Sequence, residues 1–74
     1  MFKSITFEVT GENRLHCAAC EQRVARLLKG VEGIGQVRAQ ADRQRIDVLF
    51  DASVVDLRTI AQRLNEAGYE TKVA

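Results

Sequence analysis

The hydrophobic pattern changes its period near residue 18. Before that point, Ile5, Phe7 and Val9 lie two residues apart, which is the spacing of a strand with one buried face. After it, the apolar residues follow the spacing of one face of a helix: Cys20, Val24, Leu27, Leu28 and Val31. The cluster Gly11-Glu12-Asn13 is expected to end the strand, and the helix is expected to end near Gly30.

The middle of the chain predicts a pair of strands. Residues 37–41 alternate weakly between apolar and polar side chains, and residues 46–50 alternate clearly. The polar residues 42–44 between the two runs suit a short connection. We therefore expect a hairpin here.

A second helix is predicted after this hairpin. Asp51 or Ser53 is expected to cap it, with Asp56 near its positive end. Its buried stripe is predicted to consist of Leu57, Ile60, Ala61 and Leu64. Gly68 is expected to stop the helix, and residues 69–73 leave room for a last short strand.

The predicted elements follow the order β-α-β, then β-α-β. This order indicates an α+β fold of the ferredoxin-like βαββαβ type, with a four-stranded antiparallel sheet and two helices on one face. We expect residues 1–74 to form a single domain, because the chain is too short for two. The predicted core is Ile5, Phe7, Val24, Leu27, Leu28, Val37, Ile46, Val48, Leu57, Ile60 and Leu64. Since this predicted core is independent of the loop before the first helix, the fold is not expected to need a metal.

Composition and charge exclude several classes of partner. Eleven Lys and Arg oppose ten Asp and Glu, so a net charge of +1 creates no broad field for nucleic acid or an anionic membrane. The first residues show no signal peptide, and no segment is long and apolar enough for membrane insertion. We therefore expect a cytoplasmic protein. The sequence shows no arrangement of acid, base and nucleophile that would indicate an enzyme, so we do not expect one.

The candidate chemistry lies in the segment NRLHCAAC, residues 13–20, where the first strand meets the first helix. It contains both cysteines of the chain, Cys17 and Cys20, and the only histidine, His16. Cys17 is predicted in the loop and Cys20 in the first helical turn, where backbone N–H groups lower thiol pKa values and favour thiolates. Two soft thiolates suit Cu(I), which accepts few ligands, whereas Zn(II) would need other donors.

A single C-x-x-C pair leaves alternatives open. The two cysteines can be close by chance, form half of an intermolecular zinc site, or act as a thiol-disulfide redox pair. In a cytoplasm that keeps thiols reduced, a structural disulfide is not expected. The strand pattern and the length do not suit a thioredoxin fold, which disfavours the redox alternative.

The chain resembles a known family in three respects together. LHCAAC stands at a strand-helix junction, the element order is βαββαβ, and Gly68-Tyr69 precedes the last strand. These features resemble the heavy-metal-associated domain of bacterial copper chaperones, of mercury-binding relatives and of the amino-terminal modules of metal-exporting P-type ATPases. The resemblance implies that Cys17 and Cys20 bind Cu(I) or another soft ion in a solvent-facing loop.

The resemblance also assigns expectations to the neighbouring residues. Leu15 takes the place of a family methionine that supports the loop from beneath, and Arg14 takes the place of a glycine. His16 is expected either to point into solvent or to serve as a third ligand, which would favour Zn(II) or a more crowded Cu(I) geometry. Tyr69 is expected to lie near the loop, shielding the site or placing a hydroxyl beside it, or to be an ordinary half-buried aromatic.

The leading functional hypothesis is a Cu(I) metallochaperone that passes the ion by thiolate exchange to a metal-transporting P-type ATPase or a similar cysteine-bearing acceptor. The alternatives are a Zn(II), Cd(II) or Hg(II) domain of a detoxification or export system, and a redox protein. Arg14, Arg23, Arg26 and Lys29 form either a docking face for an acidic partner or a solvated helix face. We expect a monomer without metal and allow for a metal-bridged dimer.

Overall fold

The computed structural model describes residues 1–74 and confirms the predicted element order. The strands and helices are β1 (Phe2–Val9), α1 (Ala18–Lys29), β2 (Ile34–Gln40), β3 (Arg45–Asp51), α2 (Leu57–Glu66) and β4 (Thr71–Val73). The strands pair antiparallel in the order β2-β3-β1-β4. This is the ferredoxin-like sheet that the sequence predicts, with β1 and β3 at its centre.

The strand register explains why one face of the sheet is apolar. Phe7 pairs with Ile46 between β1 and β3, and Ala39 pairs with the same Ile46 from β2. Because alternate residues of a strand point to the same face, these pairs line one side of the sheet. The buried residues of both helices belong to the same apolar cluster, so both helices cover that face.

The core differs from the predicted core at several positions, because Ile5, Leu27 and Val37 are only partly buried and Leu57 is exposed. It consists of Phe7, Val9, Leu15, Val24, Leu28, Ile46, Val48, Phe50, Val55, Ile60, Leu64 and Tyr69. Leu57 was expected in it, but its side chain is 40% exposed. Val55 is buried instead and lies just before the helix cap, at the position where an apolar residue packs against the fourth helical residue, here Ile60. The apolar contact at this helix start is therefore made by Val55.

The cap of α2 also differs from the prediction. Asp56 is the N-cap, and its carboxylate accepts hydrogen bonds from the Thr59 N–H at 2.9 Å and the Thr59 hydroxyl at 2.8 Å. Asp51 instead accepts one from the N-terminal ammonium at 2.8 Å and another from the Ser53 hydroxyl at 2.6 Å. The bond from the ammonium is the main reason that the pKa of Asp51 falls to about 2. Asp51 therefore ties the start of the chain to the end of β3.

The remaining boundaries lie close to their predicted positions. Helix α1 ends at Lys29 with Gly30 as its C-cap, and α2 ends just before Gly68, which has φ of 97°. Strand β2 begins at Ile34, earlier than its weak alternation predicts, and Ala41 lies in the turn after it. Neither helix has the length and hydropathy needed to cross a membrane.

Candidate metal centre

The cysteine loop, residues 10–17, connects β1 to α1 and carries Cys17 at its end. Cys17 is the N-cap residue of α1, with extended backbone (φ −159°, ψ −177°), and its side chain makes no capping hydrogen bond. Its thiol is therefore not used to start the helix, and the residue is exposed. Cys20 lies in the first turn of α1, is half-buried and packs against the core. Both thiols are free.

The surroundings of Cys20 stabilise a thiolate. The pKa of Cys20 is lowered chiefly by a hydrogen bond from the backbone N–H of His16, with smaller contributions from the backbone and side chain of Cys17. Burial opposes this shift but does not reverse it. The helix terminus was expected to supply the stabilising N–H groups. In the structure they belong to His16, just before the helix, and to the N-cap residue Cys17.

Tyr69 reaches the same sulfur from the other end of the chain. Its side chain is buried, and its hydroxyl hydrogen-bonds to Cys20, which makes a small contribution to the lowered pKa of that thiol. Burial raises the pKa of Tyr69, and the negative charge of Cys20 raises it further, whereas nearby Arg23 opposes the change. The raised pKa favours the protonated phenol. Tyr69 is buried, not half-buried as one interpretation expected, and it lies before β4; its role at the site stays a prediction.

The other residues singled out from the sequence have distinct positions. Leu15 is buried in the core cluster, and His16 is exposed. No group of three or more His, Cys, Asp or Glu side chains lies in an arrangement that could hold a metal ion, so the structure does not bring His16 together with both cysteines as such a set. Arg14 turns back along the loop, and its guanidinium donates to the Val9 carbonyl at 2.8 Å.

Three residues that hold the cysteine loop were not identified from the sequence. The Asn13 amide donates to the Gly68 carbonyl at 2.9 Å. Gln44 hydrogen-bonds to the N–H and the carbonyl of Leu15. The Glu21 carboxylate accepts the N–H of Ala41, in the turn after β2. In the sequence, Gln44 is one of the polar residues 42–44 of the turn, and Glu21 follows Cys20 on the helix. No sequence signal distinguishes them, because their partners lie far away along the chain.

The exposed side of α1 beyond the cysteines is basic. Arg23, Arg26 and Lys29 are exposed, and none of them takes part in the ion pairs that the structure contains. Arg23 is close enough to Tyr69 to oppose the rise in its pKa. The exposed side of α1 is therefore positively charged between the cysteines and the C-terminus of the helix.

The fold is ferredoxin-like, with two free thiols at its first strand-helix junction. The family model described as the heavy-metal-associated domain matches residues 13–70, starting at the first residue of NRLHCAAC. The chain belongs to this family of heavy-metal-associated domains.

Individual relatives include both small and large proteins. The chain is 31% identical over 67 residues to the copper chaperone CopZ of Enterococcus hirae, a match that covers 90% of this chain and 93% of CopZ. It is 31% identical over 71 residues to the copper-transporting ATPase RAN1 of Arabidopsis thaliana, covering 96% of this chain and 7% of that protein. The crystal structure of oxidized MerP from Ralstonia metallidurans CH34 superposes with a TM-score of 0.86 at 25% identity, covering 99% of this chain and 97% of MerP.

Proposed function

We propose that the protein is a Cu(I) metallochaperone that holds the ion between the sulfur atoms of Cys17 and Cys20. The observation that carries this proposal is the pair of free thiols at the start of α1, with Cys17 exposed and Cys20 half-buried. The lowered pKa of Cys20 favours a thiolate beside this second, exposed thiol. Thiolates are the ligands that a soft ion prefers, and Cu(I) needs few of them. Leu15 supports the loop from the core, and Tyr69 shields one side of the site.

Transfer of the ion proceeds by ligand exchange. A thiolate of the acceptor bonds to Cu(I) from the exposed side, where Cys17 lies, and gives a three-coordinate copper-thiolate intermediate. One bond from Cu(I) to a cysteine of this chain then breaks, and the released thiolate takes up a proton from solvent. The second exchange repeats these steps, so the bare ion is never released and copper remains Cu(I) throughout.

The acceptor is proposed to be a metal-transporting P-type ATPase or another protein with an exposed cysteine pair. Sequence similarity to CopZ and to copper-transporting ATPases supports this kind of partner. Exposed Arg23, Arg26 and Lys29 suit an acidic surface beside the acceptor cysteines, and charges at an interface mainly accelerate association. We propose a cytoplasmic monomer in the absence of metal, with two copies able to share one ion.

Competition titrations of the reduced protein with a Cu(I) chelator and separately with a Zn(II) chelator test the function. Cys17→Ser and Cys20→Ser each remove one proposed ligand, and His16→Ala is the matched control in the same segment. We expect tight Cu(I) binding that both serine variants lose and that His16→Ala retains. A thiol-disulfide exchange assay on the wild type is run in parallel.

Three results would contradict the proposal in different ways. Preferred Zn(II) binding that requires His16 would assign the protein to divalent-metal handling. Disulfide exchange turnover without tight binding of either ion would make it a redox protein. Retention of Cu(I) affinity in Cys17→Ser would show that the ligands lie elsewhere.

A further inference from the structure

The turn between β2 and β3, residues 41–44, is attached to the cysteine loop through the side chain of Gln44. The Gln44 carbonyl oxygen Oε1 accepts the Leu15 N–H at 2.9 Å, and its amide Nε2 donates to the Leu15 carbonyl at 2.6 Å. The same Nε2 donates to the Ala41 carbonyl at 2.6 Å. One amide group therefore pairs with both backbone groups of Leu15 and with the start of its own turn.

The backbone of Gln44 is held in an uncommon conformation. Its φ of 54° makes it the one non-glycine residue of the chain with positive φ. A glutamine in this region costs free energy relative to glycine, and the conformation persists where the surrounding contacts fix it. The Gln44 carbonyl also accepts the Val9 N–H at 2.8 Å, at the end of β1. Main chain and side chain of Gln44 thus hold both ends of the segment 9–15.

A second hydrogen bond joins the same turn to α1. The Glu21 carboxylate accepts the Ala41 N–H at 2.6 Å. Glu21 follows Cys20 directly, and Leu15 lies two residues before Cys17. The turn is therefore attached on both sides of the segment that carries the two thiols.

We propose that Gln44 is a positioning residue for metal binding. Gln44 holds the cysteine loop at Leu15, and Glu21 holds the helix just after Cys20. Both attachments lead to the turn 41–44, so the turn sets the distance between the two ends of the Cys17–Cys20 segment. The inference rests on the proposed function, since it assigns Gln44 a role toward the ion that the two cysteines hold. Gln44 itself does not touch that ion.

The physical reason is preorganisation. Without the Gln44 amide, the N–H and the carbonyl of Leu15 lose their partners, and the loop is free to adopt other conformations. Binding at two sulfurs then has to select the competent conformation from this larger ensemble, which lowers the apparent affinity by the fraction of competent molecules. Groups that orient metal ligands without touching the metal typically contribute about 10–100-fold to affinity.

Gln44→Gly is the sharpest test, because glycine adopts positive φ without strain and only the side chain is lost. Gln40→Ala is the matched control. It also removes one partly buried glutamine amide, which donates to Asp47 Oδ2 at 2.9 Å, away from the cysteine loop. Glu21→Ala loosens the other attachment and serves as the second variant if Gln44→Gly folds poorly. Each variant is assayed for Cu(I) affinity, thermal stability and amide hydrogen exchange at Leu15 in the reduced, metal-free state.

We expect Gln44→Gly to weaken Cu(I) binding about tenfold and to accelerate exchange at Leu15 by a similar factor, beyond any change in global stability. Glu21→Ala is expected to weaken binding in the same direction, and Gln40→Ala is expected to do neither. Unchanged affinity in Gln44→Gly, or an equal loss in Gln40→Ala, would overturn the positioning role. A wild type that does not bind Cu(I) would instead contradict the proposed function, and exchange at Leu15 would still decide whether Gln44 fixes the loop.

Discussion

At the scale of single residues, the sulfur of Cys20 is the point at which local and distant parts of the chain meet. The backbone N–H groups of His16 and Cys17 are close to it because they are its near neighbours in sequence. The Tyr69 hydroxyl reaches it only because the last part of the chain returns beside the first helix. The thiolate is therefore stabilised mainly by the loop, with a smaller contribution from the fold.

Replacement of Tyr69 by phenylalanine tests how much the Tyr69 hydroxyl contributes to the lowered pKa of Cys20. Tyr69→Phe keeps the buried ring and removes the hydroxyl, so we expect the pKa of Cys20 to rise. The rise should be small, because the His16 N–H makes the largest contribution. The pH dependence of Cys20 alkylation reports the pKa, measured in a Cys17→Ser background with and without the Tyr69→Phe substitution. An unchanged or lower pKa would contradict the hydrogen bond.

At the scale of elements, the start of α2 shows how a helix takes its boundary from its cap. Asp56 accepts two hydrogen bonds from Thr59, and Val55 before it packs in the core. The helix therefore begins at Leu57, and Asp51 and Ser53 remain outside it. The sequence contains three capping candidates within six residues, 51–56, and the one whose neighbours can enter the core becomes the cap.

Removal of the cap is expected to destabilise the protein in a pH-dependent way. The pKa of Asp56 is lowered, first by the Thr59 N–H, so its stabilisation is complete above the ordinary carboxyl pKa of 3.8 and is lost as the pH falls through the lowered value. We therefore expect Asp56→Ala to lower the Tm by a few degrees at pH 7 and by less in acid. Asp56→Asn, which keeps an acceptor oxygen for Thr59, should recover part of the loss. Thermal unfolding at several pH values measures both effects, and an equal loss at every pH would contradict a role for the charge.

At the scale of the whole molecule, one apolar cluster joins both helices, the sheet and the cysteine loop. Leu15 and Tyr69, the residues next to the candidate site, belong to it together with residues from β1, β3 and both helices. We propose that residues 1–74 form one domain around this cluster. Because the cluster does not include the thiol of Cys17, the reduced protein is expected to fold cooperatively without metal.

Two leucines of α2 test the observed core against the predicted one. Leu64 is fully buried, so Leu64→Ala should reduce the free energy of unfolding by about 3 kcal/mol. Leu57 is 40% exposed, so Leu57→Ala should cost less than about 1 kcal/mol. Urea unfolding of the reduced protein in the presence of a chelator measures both. Equal losses would contradict the packing, and an unfolded wild type would contradict metal-independent folding.

The sequence by itself determined the order of elements, most of the core and the location of the cysteine pair. Strand and helix periods depend on residues only a few positions apart, and Cys17 and Cys20 are close together on the chain. These features can therefore be predicted from short stretches of the sequence. Their match to a known family added expectations for Leu15 and Tyr69.

Only the tertiary structure decided which distant side chains hold the cysteine loop and which apolar residues are buried at the element ends. Gln44 pairs with Leu15 because the strand register places the turn after β2 beside the loop, and Glu21 reaches the same turn from α1. Leu57 is exposed because the helix start turns Val55 inward in its place. Such contacts depend on the packing of elements against one another, which no local pattern of polar and apolar residues encodes.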